Sequence, residues 1–484
     1  MFRALAKEVL DILVAGKAEY GDIRIIHTTS ENITVSGSKP EVVRRSESIG
    51  YGIRVLLGGA WGFAASDILE KKAVVRTAGK ALEIARAGRK APSDKECTLP
   101  ADKIEAKFTT PHQKDPFSIS LEDKLTLLSD ASEILLENKR VRIAKGFSDS
   151  VRTKKLFAST TGSLIEQEII TCGGGILALA IKGDDVQKRS YPNSFRGNFA
   201  TAGWEFVEEM DLSGNAPWVA EEAVALLGAP PCPALDKATV ILAPDQLALQ
   251  IHESIGHPIE LDRVFGQEAS FAGTSFLDPS MLGSFQYGSP EITVVADATT
   301  PRGLGSFGFD DEGTPGQRTT ILEKGILRNF LTSCQTAPRL KGSPRSNGTA
   351  RAQGWRNIPL IRMTNINLEP GTWDFGDLVA DTRDGFLLET NKSWSIDDKR
   401  INFQFGVEVA REIKKGKIGR LLKNPVYTGI TPVFWNSCDA VCNADYWELY
   451  GVANCGKGEP MQMMQVGHGA PPARFLNVNI GSAQ

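Results

Sequence analysis

A glutamate set between two histidines is the most chemically suggestive stretch of this chain. Residues Ile251 to Arg263 read IHESIGHPIELDR, which puts His252 and His257 five positions apart with Glu253 directly after the first. Neutral imidazoles are common metal ligands. A helix of the form H-E-x-x-H sets two of them one turn apart, with the glutamate as general base. Here the spacing carries one more residue, H-E-x-x-x-H. On an ideal α-helix an i,i+4 pair is separated by ~40° around the axis and an i,i+5 pair by ~140°. His252 and His257 can share an ion only if the helix is distorted between them; otherwise they are two packed or surface histidines with nothing in common.

The flanking residues supply a means of distortion. The segment PDQLALQIHESIGHPIE predicts a helix, with Asp245 as its N-cap and apolar Leu247, Leu249 and Ile251 inside it. Gly256 precedes His257 and Pro258 follows it. Glycine tolerates unusual dihedrals. Proline lacks the N–H a helix needs and pushes the residue before it away from the α region. A π-bulge or a broken last turn is therefore expected between the histidines, and such bulges are frequent at functional sites. The chain has only five histidines.

A catalytic zinc takes three protein ligands and keeps a fourth position open. Candidates for the third are Glu260, one turn beyond His257, and the late cysteines Cys438, Cys442 and Cys455. A cysteine-only structural cluster is a rival reading, although these spacings match no common zinc knuckle, and buried free cysteines are ordinary core residues. Cys455 lies in NCGKG, read as a glycine-flanked loop in which a thiolate could approach an ion.

These residues need a scaffold. The length of 484 residues predicts two to four domains. An N-terminal helix carries Leu5, Val9, Leu10 and Leu13; Lys7, Glu8, Asp11 and Lys17 interrupt it, so it does not read as a signal peptide. DIRIIHTTS, ENITVSGS and the stretch from Pro40 to Ser66 alternate like an antiparallel meander. Helices are predicted over 68–87 and 121–138, with a polar loop RKAPSDKECTLPADK between them. Further strands follow in VRIAKGFSDSVRTKKLFAST, SLIEQEIITCGGG and ILALAIKG. A short helix and proline-rich exit in NAPWVAEEAVALLGAPPCPALDK mark a boundary, giving an N-terminal α+β domain over 1–230 and a mainly β domain over 231–484. The fold class is α+β, with the histidine helix packed on the β domain.

Charge and cysteine usage narrow the function. A net charge of −3 argues against nucleic acid as partner. No run of ~20 apolar residues predicts a membrane span. Seven scattered cysteines suggest reduced thiols and a cytoplasmic protein. Asp310, Asp311 and Glu312, in FGFDDEGTPGQR, lack EF-hand spacing and read as an ordinary turn bordering the cleft.

Taken together, HESIGHPIELDR, FDDEGTPGQRTTILEKGIL, the RMTN of Arg362 to Asn365, NCGKGEPMQMMQVGHGAP and the N-terminal ENITVSGSKPEVVRRSESIGYGIRVLLGGAWGFAAS resemble the TldD/PmbA family, historically called modulators of DNA gyrase. The resemblance spans almost the whole chain. In that family the TldD-type subunit carries H-E-x-x-x-H and the PmbA (TldE) type lacks it, so this chain resembles the catalytic kind. The resemblance implies Zn²⁺ held by His252, His257 and Cys455, with Glu253 as general base. It also implies a cytoplasmic homodimer, or a heterodimer with a PmbA/TldE-like paralogue, hydrolysing unfolded or short peptides. His468, in VGHGAP, falls where the family motif varies and receives no ligand role; His27 and His112 read as structural or exposed. Glu260 is read either as a partner for a histidine N–H or as a solvated charge. The alternative function is a non-hydrolytic scaffold subunit, which would have no need of Glu253 beside a metal.

Overall fold

The structure, a computed structural model, describes residues 2–89, 103–271, 273–342 and 345–483. Helix makes up 24% and strand 44%, an α+β protein with a barrel-like C-terminal sheet. Most of the loop expected between the first two long helices lies outside the described residues.

The N-terminal half is built on one eight-stranded sheet. Its central strands are longer than their sequence runs imply. Tyr20–Ser36 is one strand through both DIRIIHTTS and ENITVSGS, and Leu164–Lys182 runs unbroken through Gly173, Gly174 and Gly175. Those glycines do not end the strand. A Cβ on Gly173 would strike the backbone at Asn198 and Phe199, and one on Gly174 would strike Phe147. Along Tyr20–Ser36, Ile23, Ile25, Ile33 and Val35 share parity and hence one face. Helices Phe2–Ala15 and Lys71–Gly88 pack over one end of it. Leu121–Glu137 and Leu212–Gly228 pack over the other. This last helix starts earlier than its sequence suggests, capped by the Asp211 side chain and carrying Pro217 inside it.

Asp22 and Arg24, of opposite parity, face the C-terminal half and are fully buried. Arg54 binds Asp22 across the strand pair at 2.6 Å and reaches Glu312 at 3.2 Å, while Lys155 binds Asp311 at 2.5 Å. Asp310 accepts backbone N–H groups of Glu312 and Thr314, both at 2.9 Å. The acidic stretch is a turn, as expected, but a buried one that forms an ionic seam between the two halves.

In the C-terminal half, Asp384–Ile396 pairs with Leu235–Leu242 and also with Asn402–Lys414, which closes a ring of strands completed by Ala473–Ser482 and Pro425–Ile430. A six-stranded sheet lies beside it, with Gln462–Ala470 next to its edge strand Glu448–Lys457. The histidine helix is enclosed between these sheets rather than laid on one. Its residues Asp245 to Ile251 are all buried. On one face Leu247, Ile251 and Ile255 enter an apolar core with Phe405, Trp435 and Phe475. On another, Gln246, Gln250 and Ser254 form a polar ladder. Gln246 donates to the Tyr427 hydroxyl at 2.7 Å, that hydroxyl donates to Gln250 at 2.8 Å, and Trp435 donates to Ser254 at 2.9 Å. A helix buried on every side can keep polar residues only when each finds such a partner. Among the described residues, no helix is long and apolar enough to cross a membrane.

Candidate metal centre

The helix begins at Pro244, with Ala243 as N-cap, so Asp245 is inside its first turn rather than capping it. The α-helix ends at Ile251, and His252–Gly256 forms a π-helical turn. The His257 N–H bonds the His252 carbonyl at 3.1 Å, an i→i−5 bond that absorbs the surplus residue. The two imidazoles come to 4.8 Å between centroids at 83°. Gly256 serves this turn through space: a Cβ there would collide with the Met363 sulfur. His257 keeps α dihedrals (φ −69°, ψ −43°) despite the proline after it.

Cys455 belongs to the strand Glu448–Lys457, not to a loop. Val452 pairs with Val466 and Cys455 with Met464, so three steps on this strand answer two on its partner. That one-residue bulge turns the thiol inward, as bulges beside functional sites commonly do. One donor atom from each of His252, His257 and Cys455 lies within 4.8 Å of the others, and all three side chains are buried. Cys455 Sγ stands 3.8 Å from His257 Nε2.

What lies behind each donor fixes its proton. Glu260 Oε2 accepts from His257 Nδ1 at 3.0 Å, which leaves Nε2 with its lone pair toward the cysteine. Lys457 and Arg263 flank that carboxylate at 3.4 Å and 3.3 Å, so Glu260 is a buried partner of a histidine N–H and not a solvated charge. His252 Nδ1 meets His468 Nε2 at 2.8 Å, and His468 Nδ1 lies 3.3 Å from the Ile366 carbonyl. A carbonyl can only accept, so His468 is protonated on Nδ1 and accepts on Nε2; His252 then donates from Nδ1 and keeps a lone pair on Nε2. Burial lowers the pKa of all three rings, that of His257 to about 4, and so keeps them neutral.

Burial opposes ionisation of the Cys455 thiol, while the Arg362 guanidinium and any charge on the His257 ring favour it, and its pKa lies below the ordinary value. Four other cysteines differ: burial pushes Cys172, Cys232 and Cys442 up to about 12 and Cys438 higher still. Cys438 and Cys442 pack in apolar clusters and are not among the donors that converge with the histidines.

Glu253 Oε2 accepts from Arg400 Nη1 at 2.6 Å. Both line a cavity of about 300 Å³ with His252, His257 and the segment Gly451 to Gly456. Asn193, Ser194 and Phe195 reach it from the N-terminal half, and Trp394 from the strand Asp384–Ile396. Sequence reasoning missed His468, Arg400 and this far wall. No spacing rule links residue 252 to 468 or 253 to 400; only the sheet pairings do.

Comparison with known proteins bears on this arrangement. Three family sequence models match: a PmbA/TldA metallopeptidase domain 1 over 21–85, a central domain over 114–229 and a C-terminal domain over 235–482. The chain belongs to the PmbA/TldD family. A PmbA/TldD relative, a metalloprotease of Methanocaldococcus jannaschii, is 32% identical over 95% of this chain and 96% of its own. The zinc metalloprotease TldD homolog of Saccharolobus solfataricus is 24% identical over 96% of this chain and 97% of its own. A solved structure described as a modulator of a DNA gyrase from Thermotoga maritima shares the fold, with TM-score 0.77 and 18% identity over 99% of this chain and all of that one. TldE from Thermococcus kodakarensis does so too, with TM-score 0.72 and 16% identity over 98% and 100%. This PmbA/TldD chain is thus of a metallopeptidase family, and H-E-x-x-x-H lies within its C-terminal match.

Proposed function

We propose that this chain is a zinc-dependent peptidase acting on unfolded or short peptides, the TldD-like subunit of its kind. The observation that carries this reading is the convergence of His252, His257 and Cys455 on one wall of a cavity that Glu253 also lines. Two neutral imidazoles and a thiolate suit zinc chemically, and an N···S edge of about 3.6 Å, from zinc's usual bond lengths, is close to the 3.8 Å between His257 and Cys455. When held there, the ion supplies a Lewis acid that polarises a peptide carbonyl and makes water more acidic.

The remaining work falls to the chain. Glu260 and His468 orient the two rings and fix their tautomers. Glu253 takes the proton of the attacking water and returns it to the leaving amine. Arg400 holds Oε2 of that carboxylate; Oε1 has no hydrogen bond among the described residues and is the proton acceptor. The edge strand beside the cavity offers backbone groups to an extended peptide, which favours unfolded substrates over folded ones. A thiolate ligand and the absence of disulfides among the described cysteines suit a reducing cytoplasm. Pairing with a TldE-like paralogue fits the shared fold, and a homodimer is the other arrangement.

Zinc analysis and peptide hydrolysis, with and without chelator, test the reading. The wild type should hold one zinc per chain and lose hydrolysis on chelation. Glu253→Gln should keep the zinc and lose about 10²–10⁴-fold in kcat. Cys455→Ala should lose the metal; equal zinc in wild type and Cys455→Ala refutes the ligand set. Intact turnover without Glu253 would assign the base elsewhere, and no turnover by the zinc-loaded wild type would favour a scaffold subunit.

A further inference from the structure

The helix face toward the cavity is lined by Asp245, Ala248, Leu249, His252 and Glu253, an i, i+3, i+4, i+7, i+8 series. Asp245 and His252 are therefore on one stripe, and at the rise of an α-helix they lie ~10 Å apart along it. That is about three residues of extended peptide. One end of the cavity carries the converging donors, and the other carries a carboxylate.

Two neutral donors hold this carboxylate. Its oxygens accept from the Thr390 hydroxyl at 2.5 Å and the Gln246 N–H at 2.8 Å, and among the described residues it forms no ion pair. Arg189, the cation that acts on it from behind, pairs with Glu408 and Glu222 and reaches it only through the Thr390 hydroxyl, to which its Nη1 donates at 3.1 Å. Burial raises the Asp245 carboxyl to about 7, which states the cost of ionising it unpaired. Across the cavity, Phe195 and Trp394 meet edge to face at 5.2 Å between centroids, from opposite halves of the protein. Both rings are half-exposed, and Phe195 is held at a φ of 56°, which a bulky residue rarely adopts. A buried carboxylate with no ion pair, sharing a cavity with aromatic rings, can receive a cation beside the one the Phe195 ring already holds, Lys188 Nζ at 5.9 Å from its centroid.

We propose that Asp245, with Phe195 and Trp394, forms a cation-binding subsite that selects peptides carrying an ammonium or guanidinium group about three residues from the scissile bond. This rests on the peptidase reading. The cation has two possible sources in a peptide, its free N-terminus or a lysine or arginine side chain.

The test uses full-length, zinc-loaded protein and alanine-based peptides in four forms: free N-terminus, acetylated, acetylated with one lysine stepped along the chain, and the same series with norleucine. The wild type should favour at least one cationic form over its neutral counterpart by about tenfold or more in kcat/KM, the size of one charge-assisted contact. That ratio should fall to about one in Asp245→Asn and persist in Asp245→Glu. Preference for the free N-terminus identifies the α-ammonium; preference for lysine at one position identifies the side chain. Equal handling of lysine and norleucine, and of free and acetylated ends, by the wild type overturns the proposal even if the variants do not fold. If no peptide is cleaved, the peptidase reading fails separately. Calorimetric titration of the same peptides into zinc-loaded Glu253→Gln then decides the subsite: tighter binding of the cationic member supports it, and equal binding overturns it.

Discussion

His468→Phe removes the group that holds His252 without touching a proposed ligand. His468 is fully buried, bonded to the Ile366 carbonyl through one nitrogen and to His252 through the other at 2.8 Å. A phenyl ring keeps the aromatic bulk and loses the acceptor. The His252 Nδ1–H is then left in a dry interior, which costs ~1–3 kcal/mol. Without metal, His252 can escape that cost by moving its proton to Nε2. With metal it cannot, because Nε2 must present a lone pair. The penalty therefore falls on the metal-bound state and appears as weaker zinc affinity, by roughly 10–100-fold, the usual range for losing such a support.

The assay is competition for zinc against a chromophoric chelator at neutral pH, with the melting temperature of the metal-free protein as the check on folding. His468→Asn, whose amide oxygen can accept, should recover part of the affinity. A His468→Phe protein that folds and binds zinc as tightly as the wild type would refute the relay from Ile366 through His468 to His252. Loss of folding in the phenylalanine variant moves the decision to the asparagine variant, which should be weaker than wild type and still bind.

Other perturbations test other links. Arg54→Ala strips the counterion from Asp22 and Glu312 in the seam between the halves, and should cost ~3–5 kcal/mol in urea unfolding, as expected when a buried pair loses one member. Gly256→Ala forces a Cβ against the Met363 sulfur and should cost ~1–3 kcal/mol, with part regained in the double variant with Met363→Ala. Asp245→Asn should raise the melting temperature at pH 8. Burial raises the Asp245 carboxyl from 3.8 to about 7, so the folded state holds a proton that the unfolded chain releases, and wild-type stability falls as pH rises across that window. The advantage of asparagine should therefore shrink as pH drops through the same window; a gain independent of pH would refute the assignment.

Much of the scaffold is legible because it is local. Leu5, Val9, Leu10 and Leu13 announce a helix by spacing, and the helix expected over 121–138 is found over Leu121–Glu137. Long strands are harder, since Gly173 to Gly175 read as a break when they are close-packing points against Phe147, Asn198 and Phe199. Asp310 to Glu312 look like a surface turn because their partners Arg24, Arg54 and Lys155 lie more than 150 residues earlier. His468 reaches His252 only because Asn365–Leu368 pairs in parallel with Gln462–Ala470, a pairing no periodicity foretells.

The centre itself divides along the same line, for it depends on two single-residue insertions. One is in the helix: the π turn at His252–Gly256 lets two histidines five apart converge. Its signal is written beside it, in Gly256, Pro258 and the surplus residue of the motif. The other is in the strand: the bulge between Val452 and Cys455 rotates the thiol to the side of the histidines. A bulge is a relation between two strands, and it can be counted only when the partner's register, Val466 to Met464, is known. A regular strand would send position 455 to the opposite face by the two-residue period of the pleat. Deleting Asn454 should therefore do to the cysteine what an ideal α-helix would do to His257, turning a donor away from the others while leaving all three residues in the chain. Zinc analysis of that deletion asks whether the aim of the side chains, rather than their presence, makes the site.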